Sequence, residues 1–457
     1  MLRALTALLF LAHVAAAGPL DARDKALREG IAAELVRLAA TLERDGGFEE
    51  AAEELRLGLY LVPGSEPARR AMAALAGKRG RGAGEELRRK AHEAIAERLE
   101  GFAEEAAAEQ DLERAWRAWT DARILAPSGS SRPWFAAYGL VVREEDRERL
   151  EAGEEFVDGR WLAREEVARQ NERHAAWTDP WVLVCDGYEV RTTMPLRTAR
   201  QVAWHAAAFR RHLLAQIAGE WDLRAPAGRL PIYVAGTQRD FQALAEEQGG
   251  PGATGDPQGA AFYLWSSRPL NPCLVTFEPI DVGTGLPLSV GFDQLVFTLR
   301  HELAHQLLFE YSRHGAPRPR PVDRHFWLVE GLAEFFTNFT LSADGWRLAY
   351  PRRVAAGSGY FEGNLAYCKE HLASLPALEA FFATPKSDFK TMEHYHQGAA
   401  VCAFLWQSPR WRGPFLKLAE AIHQSRPPPS WLEAARMQAE WEAFVAELPI
   451  EGEPGRK

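Results

Sequence analysis

Cysteine is scarce in this chain, with 4 among 457 residues. No two of them have the C-x-x-C spacing of a zinc ribbon or a redox motif, so the cysteines provide no metal-binding motif of their own. Two alternatives are open: buried free thiols, or disulfides formed after export in one of three pairings. The four residues are Cys185, Cys273, Cys368 and Cys402.

An excess of positive charge is also absent. The chain has 54 Lys and Arg residues against 63 Asp and Glu residues, which gives a formal net charge of −9. A protein that binds nucleic acid needs a basic surface to replace the counterions of the phosphates, so we expect no nucleic-acid partner. Hydrophobic residues make up 47% and charged residues 26%, as in a soluble globular protein with a substantial core. The length fits about two or three domains.

Long apolar runs are missing except at the N-terminus. There, a short basic start precedes an apolar run over residues 4–14 and three alanines at 15–17. This layout predicts a cleavable signal peptide over residues 1–17 and a secreted, periplasmic or otherwise extracytoplasmic protein. The alternative is an uncleaved N-terminal anchor, although the run is short for a bilayer span. No later stretch is long and apolar enough for a transmembrane helix, so we expect no stable membrane span.

Residues 18–142 are rich in Ala, Leu, Glu and Arg, which predicts helices throughout. Two stretches of this region are similar at an offset of 64 residues. A small residue where two helices touch, followed by a proline after the second helix, resembles the helical hairpins of tetratricopeptide-type repeats, which would offer a surface to a protein partner. The alternative is an unrelated helical bundle. The matching pairs are Phe48 with Leu112, Ala51 with Ala115, and Pro63 with Pro127.

The pattern changes after residue 142. Residues 143–177 are strongly charged and are predicted to form a linker. Short apolar strands and helices alternate up to about residue 290, and the chain is mostly helical from Asp293 onward. A small sheet followed by helices predicts an α+β domain over residues 178–450, with a short tail at 451–457. The predicted strands cover residues 181–185, 230–234, 259–264 and 274–277.

The clearest motif is HELAH at residues 301–305, an HExxH sequence. Leucines recur every four residues before and within it, which predicts a helix with an apolar stripe. Residues i and i+4 of a helix project from one face, so His301 and His305 can bind one metal ion through their imidazole nitrogens. Glu302 is angled toward a metal-bound water rather than toward the metal.

A second motif, WLVEGLAE, occupies residues 327–334 and predicts another helix. Catalytic zinc takes three protein ligands and keeps a fourth position open. Glu330, which follows His305 after 24 intervening residues, completes such a set. Glu334 lies one turn later on the same face. The alternative for both glutamates is a solvated acidic face.

HELAH followed by WLVEGLAE resembles the gluzincin zinc metallopeptidases, and most of all the peptidase MA-like group with its W-x-x-E-G-x-A-E helix. The resemblance spans about residues 178–450, although only the two helices carry motifs. It implies a zincin-like domain with one Zn²⁺ ion held by His301, His305 and Glu330, and Glu302 as general base and acid. It also implies that Glu334 orients the first ligand histidine. The glycine-rich motif of the aminopeptidases is absent, so an exopeptidase is not implied.

The resemblance implies two further features. A Tyr or His on a C-terminal helix stabilises the oxyanion in this family, and Tyr395 is the first candidate here, followed by His396. An edge strand ahead of the metal helix pairs with the extended substrate, and the strand at 274–277 is predicted in that role by analogy.

Two functions of different classes follow from these motifs. The first is a secreted zinc metallopeptidase that hydrolyses peptide bonds by a zinc-bound water with Glu302 as general base. The second is a non-catalytic zincin-fold protein whose helical repeats bind protein partners. A purely structural zinc site would not need Glu302, and its presence favours catalysis. The same site would also suit hydrolysis of another bond, because fold and metal do not fix the substrate.

Overall fold

A computed structural model of the chain shows a mixed α+β fold with two compact units. The N-terminal unit comprises Met1–Gly129 with Leu214–Gly219, and the C-terminal unit comprises Ser130–Leu213 with Glu220–Lys457. The predicted signal peptide and the tail lie outside the described residues. The structure describes residues 19–62, 64–75, 78, 80, 82, 84–109, 112–126, 147–157, 160–248, 261–263, 270–276, 292–312, 325–337, 339–342, 345–348, 364–389, 391–429 and 433–447.

The described part of the N-terminal unit is helical. Helix α1 packs against α2, and α4 packs against α5. Helices α2 and α5 each have 14 residues and begin at the two residues that the sequence similarity aligns. Ala51 and Ala115, the small residues of that similarity, are fully buried. An additional helix, α3, lies between the two pairs. The helices are α1 (Pro19–Arg44), α2 (Phe48–Leu61), α3 (Glu66–Leu75), α4 (Glu85–Ala108) and α5 (Leu112–Leu125).

Buried charges connect the two helix pairs of the N-terminal unit. Asp121 of α5, which is 1% exposed, accepts hydrogen bonds from Tyr60 of α2 at 2.7 Å and from Arg28 of α1 at 2.5 Å. Arg28 also donates to Asp24 at 2.7 Å. A buried carboxylate is tolerated when hydrogen bonds and an opposite charge satisfy it, as they do here.

The segment predicted as a charged linker is folded where the structure describes it, and it belongs to the C-terminal unit. It forms helix α6 (Arg147–Glu151), a hairpin of β1 (Glu155–Val157) and β2 (Arg160–Leu162), and helix α7 (Arg164–Arg173). Glu155 is buried and accepts hydrogen bonds from Arg197, at 2.8 Å, and from Arg200. These ion pairs connect the described part of the segment to the helix Leu196–Ile217.

A five-stranded mixed sheet forms the centre of the C-terminal unit, in the order β3-β4-β5-β7-β6. Strand β5 pairs in parallel with β4 and β7, whereas β3 and β6 are antiparallel edge strands. All four residues of β7 are buried, as expected of an internal strand. The strands are β3 (Trp181–Cys185), β4 (Tyr188–Thr192), β5 (Leu230–Ala235), β6 (Ala261–Tyr263) and β7 (Cys273–Thr276).

The predicted edge strand at 274–277 is therefore wrong. Its described part is β7, which lies between β5 and β6 and has no free edge. The edge strand next to it is β6, the last strand of the sheet. Local hydrophobicity predicts that a strand forms but not its position in a sheet, because that position depends on long-range pairing.

Helices surround the sheet and make up most of the chain beyond it. Helix α10 lies on β6 and β7, and α11 packs against α10 and α14. None of the described helices has the combination of length and apolarity that a bilayer crossing needs. All four cysteines are buried free thiols, the first of the two alternatives. The remaining elements are α8 (Leu196–Ile217), α9 (Gln238–Gln248), α10 (Phe292–Ser312), α11 (Phe326–Thr337), β8 (Phe339–Ser342), β9 (Gly345–Leu348), α12 (Asn364–His371), α13 (Leu378–Ala383), α14 (Met392–Gln407), α15 (Arg412–His423) and α16 (Ala434–Glu447).

Candidate metal centre

Helix α10 presents both histidines of the HELAH motif on one side. A stripe of leucines, at 295, 299, 303 and 307, is buried and fixes the rotation of the helix. With the helix held in that rotation, His301 and His305 are one turn apart, and their Nε2 atoms are 3.1 Å from each other. Two nitrogens so placed can share a proton in the metal-free chain or bind one ion together.

Helix α11 brings Glu330 to the same point. Its Oε2 lies 3.3 Å from Nε2 of His301 and 3.5 Å from Nε2 of His305. These three residues are the group of potential metal ligands within the described part of the chain. The side chains of His301 and Glu330 keep 15% and 12% of their surface exposed, so solvent or a substrate can reach the group.

The spacing of these three atoms fits a tetrahedral ion. Ligands at 2.0–2.1 Å from a tetrahedral zinc lie about 3.3 Å from one another. The observed separations of 3.1, 3.3 and 3.5 Å are close to that value. Two imidazoles and one carboxylate are also a donor set that zinc binds at catalytic sites. The residues present therefore fit a zinc ion with one coordination position left over.

The electrostatics of the metal-free chain are consistent with a cation site. Burial lowers the pKa of His301, but hydrogen bonds with Glu330 and Glu334 outweigh it and raise that pKa well above its usual value. Burial raises the pKa of Glu330, but the charges of His305 and His301 outweigh it and hold that pKa well below its usual range. A proton on the imidazole pair thus balances the carboxylate, and a metal ion would have to displace that proton.

Glu302 lies beside the three converging atoms but is not one of the group. Its side chain is buried, and burial raises the pKa of its carboxyl group, while His301 and His305 lower it. A hydrogen bond with the backbone of Tyr263, on edge strand β6, also lowers the pKa. The carboxyl group is therefore close both to the candidate ligands and to β6, the last described strand on that side of the sheet.

Glu334 occupies the far side of His301. Its Oε1 lies 3.0 Å from Nδ1 of His301, and the residue is 2% exposed. A carboxylate only accepts, so Nδ1 carries a proton, and a metal would bind at Nε2 in place of the second ring proton. Glu334 and Glu330 are one turn apart on α11. This helix therefore supplies one candidate metal ligand, Glu330, and also the carboxylate that accepts a hydrogen bond from His301, another candidate ligand.

Tyr395 and His396 lie at the start of α14, in the same region. Burial raises the pKa of Tyr395, and Glu330, Glu334 and Glu302 raise it further, so the phenol stays protonated and can donate a hydrogen bond. Burial lowers the pKa of His396, and Glu334 acts in the opposite direction. Both residues thus interact with the acidic groups of the centre, and Tyr395 interacts with three of them.

A close crossing of α11 and α14 brings Glu330 and Tyr395 together, and sequence reasoning missed it. A Cβ atom at Gly331 would lie 2.7 Å from the carbonyl oxygen of Gly398, and one at Gly398 would lie 3.1 Å from Cα of Gly331. Glycine at both positions therefore allows the two helix backbones to touch. The sequence does contain the two glycines, one after Glu330 and one after Gln397. That they face each other depends on how the two helices cross, which the sequence does not show.

The chain matches no known protein-family model and no curated protein sequence.

Proposed function

We propose that the protein is a secreted zinc-dependent metallopeptidase of the gluzincin type, similar to the peptidase MA-like group, with a zincin-like domain over residues 178–450. The observation that carries the proposal is the convergence of three basic atoms, from His301, His305 and Glu330, at tetrahedral spacing beside a buried carboxyl group. The signal-like N-terminus supports the extracytoplasmic location.

In peptide-bond hydrolysis, the metal, Glu302 and Tyr395 would each have a separate role. When bound, zinc supplies a Lewis acid and lowers the pKa of water to about 7. Glu302 would take a proton from the attacking water and return it to the leaving amine. Burial raises the pKa of Glu302, which suits this exchange, because a carboxyl group that is a weaker acid is a stronger base toward the proton of the water. Tyr395 would donate a hydrogen bond to the developing oxyanion.

Edge strand β6 would align the substrate. A peptide that pairs with a free strand edge is held by main-chain hydrogen bonds, which do not depend on its side chains. The hydrogen bond between Tyr263 and Glu302 puts this edge next to the general base. β6 thereby takes the role that the sequence assigned to residues 274–277.

The alternative is a non-catalytic zincin-fold protein whose N-terminal helical repeats bind protein partners. A structural zinc site is closed by four protein ligands, whereas the group here has three among the described residues. The three-ligand set and the adjacent Glu302 favour catalysis over this alternative.

The test combines metal analysis with an activity assay on the purified protein. We expect about one zinc per chain, as a single site requires, and loss of that zinc in His301→Ala. Cleavage of an unfolded protein such as casein should disappear in Glu302→Gln while zinc is retained. Glu393→Gln, an exposed glutamate of α14, is the matched control and should keep both zinc and activity.

Three outcomes separate the readings. Zinc retention with activity lost only in Glu302→Gln supports the peptidase. Zinc binding without cleavage of casein or of a peptide library favours the non-catalytic alternative. Absence of zinc from the wild-type protein after loading would rule out the metal centre itself.

A further inference from the structure

One ring nitrogen of His305 has no partner in the centre described above. Its Nε2 faces His301 and Glu330, so this atom would bind the metal. Its Nδ1 must then carry the ring proton, because a ligand imidazole is neutral with one protonated nitrogen. This Nδ1 is buried and has no hydrogen-bond partner among the described residues. His301 differs, because Glu334 accepts from its Nδ1.

A second histidine is buried against α10, one turn beyond His305. His423, at the end of α15, is 1% exposed, and its ring lies 4.5 Å from that of Phe309 and 5.4 Å from that of Trp221. Phe309 follows His305 by one turn on the same face of α10. Burial lowers the pKa of His423 to about 4, and His305 also contributes to lowering it. His423 therefore packs against the residue that lies one turn beyond His305 on α10.

The hydrogen bonding of His423 determines which of its nitrogens can accept. Its Nδ1 lies 2.8 Å from the carbonyl oxygen of Ala419, and a carbonyl only accepts, so Nδ1 is the protonated nitrogen. Nε2 of the neutral ring then has a lone pair. That atom, too, is buried without a hydrogen-bond partner among the described residues.

We propose that His423 is a positioning residue for the second metal ligand: its Nε2 accepts the proton of His305 Nδ1 through one buried water. The inference rests on the proposed metal centre. Nδ1 of His305 is a buried donor without an acceptor, and Nε2 of His423 is a buried acceptor without a donor among the described residues. Buried waters commonly join such groups. The bond selects the tautomer of His305 and fixes its ring, which makes Nε2 the better ligand. Glu334 thus accepts the Nδ1 proton of His301, and His423 accepts that of His305, so that each fixes the tautomer of one candidate ligand.

The experiment compares the zinc affinity of full-length variants by competition with a chromophoric chelator. His423→Phe keeps an aromatic ring between Phe309 and Trp221 but has no acceptor. His423→Gln can place its amide oxygen near the position of Nε2 but fills the ring-shaped space less well. His212→Phe, a buried histidine of α8 outside the centre, is the matched control. Thermal unfolding of each zinc-free variant is measured alongside.

We expect His423→Phe to bind zinc about 10–100-fold more weakly than wild type, and His423→Gln and His212→Phe to bind within a fewfold of it. A role in packing alone predicts the reverse order, with Phe better tolerated than Gln. Wild-type affinity in His423→Phe, or weaker binding in His423→Gln than in His423→Phe, would overturn the inference and leave the metal centre standing. If the wild-type protein binds no zinc, the inference fails together with the metal centre. Should His423→Phe fail to fold, His423→Leu replaces it as the variant without an acceptor, with the same two expectations.

Discussion

His301 uses both of its ring nitrogens, and each has a separate task. Nε2 points toward Glu330 and His305, and Nδ1 donates to Glu334. The carboxylate of Glu334 fixes the tautomer and makes the opposite nitrogen a stronger electron donor. A residue that never touches the metal is thus expected to set how tightly the metal is held.

Replacing Glu334 by Gln should weaken zinc binding by about 10–100-fold, because the neutral amide accepts a weaker hydrogen bond and can present its NH₂ group instead. Chelator competition measures the affinity, and thermal unfolding of the metal-free variant shows whether the fold survives. Unchanged affinity in a folded Glu334→Gln variant would contradict the role given to this carboxylate.

Tyr395→Phe should lower kcat by about 10²–10³-fold, because one donor to the oxyanion is lost. KM and zinc content should change little, since the phenol binds no metal and acts in the transition state. Steady-state kinetics on a peptide substrate measure both constants. His396→Gln is the companion variant: a large loss of kcat there, with normal kcat in Tyr395→Phe, would transfer the role to His396.

The spacing of the motifs was enough to predict which residues take part, but not their geometry. His301 and His305 share a helix, so their common face follows from the helical repeat alone. Glu330 is on a different helix, and its distance of 3.3 Å from His301 depends on how α10 and α11 cross. The proposed pairing of His305 with His423 was even less predictable from the sequence, because the two residues lie on different helices, α10 and α15, with no short-range pattern to connect them.

At the scale of helices, the contact between α11 and α14 determines the shape of the centre. Gly331 follows Glu330, and Gly398 follows Tyr395 by three residues, so the crossing point lies within a turn of both functional groups. A shift of one helix by a fraction of an ångström would move Glu330 relative to the histidines.

Gly331→Ala should destabilise the protein by roughly 1–3 kcal/mol and weaken zinc binding, because the new Cβ would lie 2.7 Å from a backbone atom that cannot rotate away. Gly398→Ala has a closest approach of 3.1 Å and should be milder. Gly101→Ala is the control: Gly101 is exposed within α4 and no atom lies within 4 Å of an added Cβ, so helix propensity should make this substitution neutral or stabilising by up to about 1 kcal/mol. Denaturant titration measures each free energy of unfolding. Equal effects of Gly331→Ala and Gly101→Ala would show that the crossing is not tight.

Helices and strands with a strong hydrophobic period were predictable from the sequence. Elements whose formation depends on contacts with residues far away in the chain were not. The strand at 181–185 and the HELAH helix were predicted from hydrophobicity and are β3 and part of α10. Strand β4 was missed because Glu189 and Arg191 interrupt its apolar pattern. The hairpin β1-β2 was missed because its buried Glu155 owes its burial to arginines some 40 residues later in the chain.

Across the whole C-terminal unit, buried histidines link stability to pH. Burial lowers the pKa of His212 to about 3 and that of His423 to about 4, and it lowers that of His205 well below the usual value. An unfolded histidine takes up a proton near pH 6.5, whereas these folded ones do so only at lower pH. The unfolded state therefore binds more protons between these values, and stability is lost as the pH falls from about 6.5 toward about 3.

His212→Gln should flatten this dependence: its denaturation midpoint should fall less than that of wild type between pH 6.5 and 4, because one proton uptake by the unfolded state is removed. His371→Gln, at an exposed position, serves as the control and should follow the wild-type curve. The comparison concerns slopes, so a uniform loss of stability from the substitution does not affect it. A slope in His212→Gln as steep as that of wild type would contradict the assignment of His212 as buried and neutral.

The central claim concerns three atoms from two helices around one ion, and anomalous diffraction at the zinc edge from zinc-loaded crystals tests it most directly. The account predicts one zinc peak within about 2.0–2.2 Å of Nε2 of His301, Nε2 of His305 and a carboxylate oxygen of Glu330. A peak held by other residues, or no peak there with Glu330 turned away from the histidines, would contradict it.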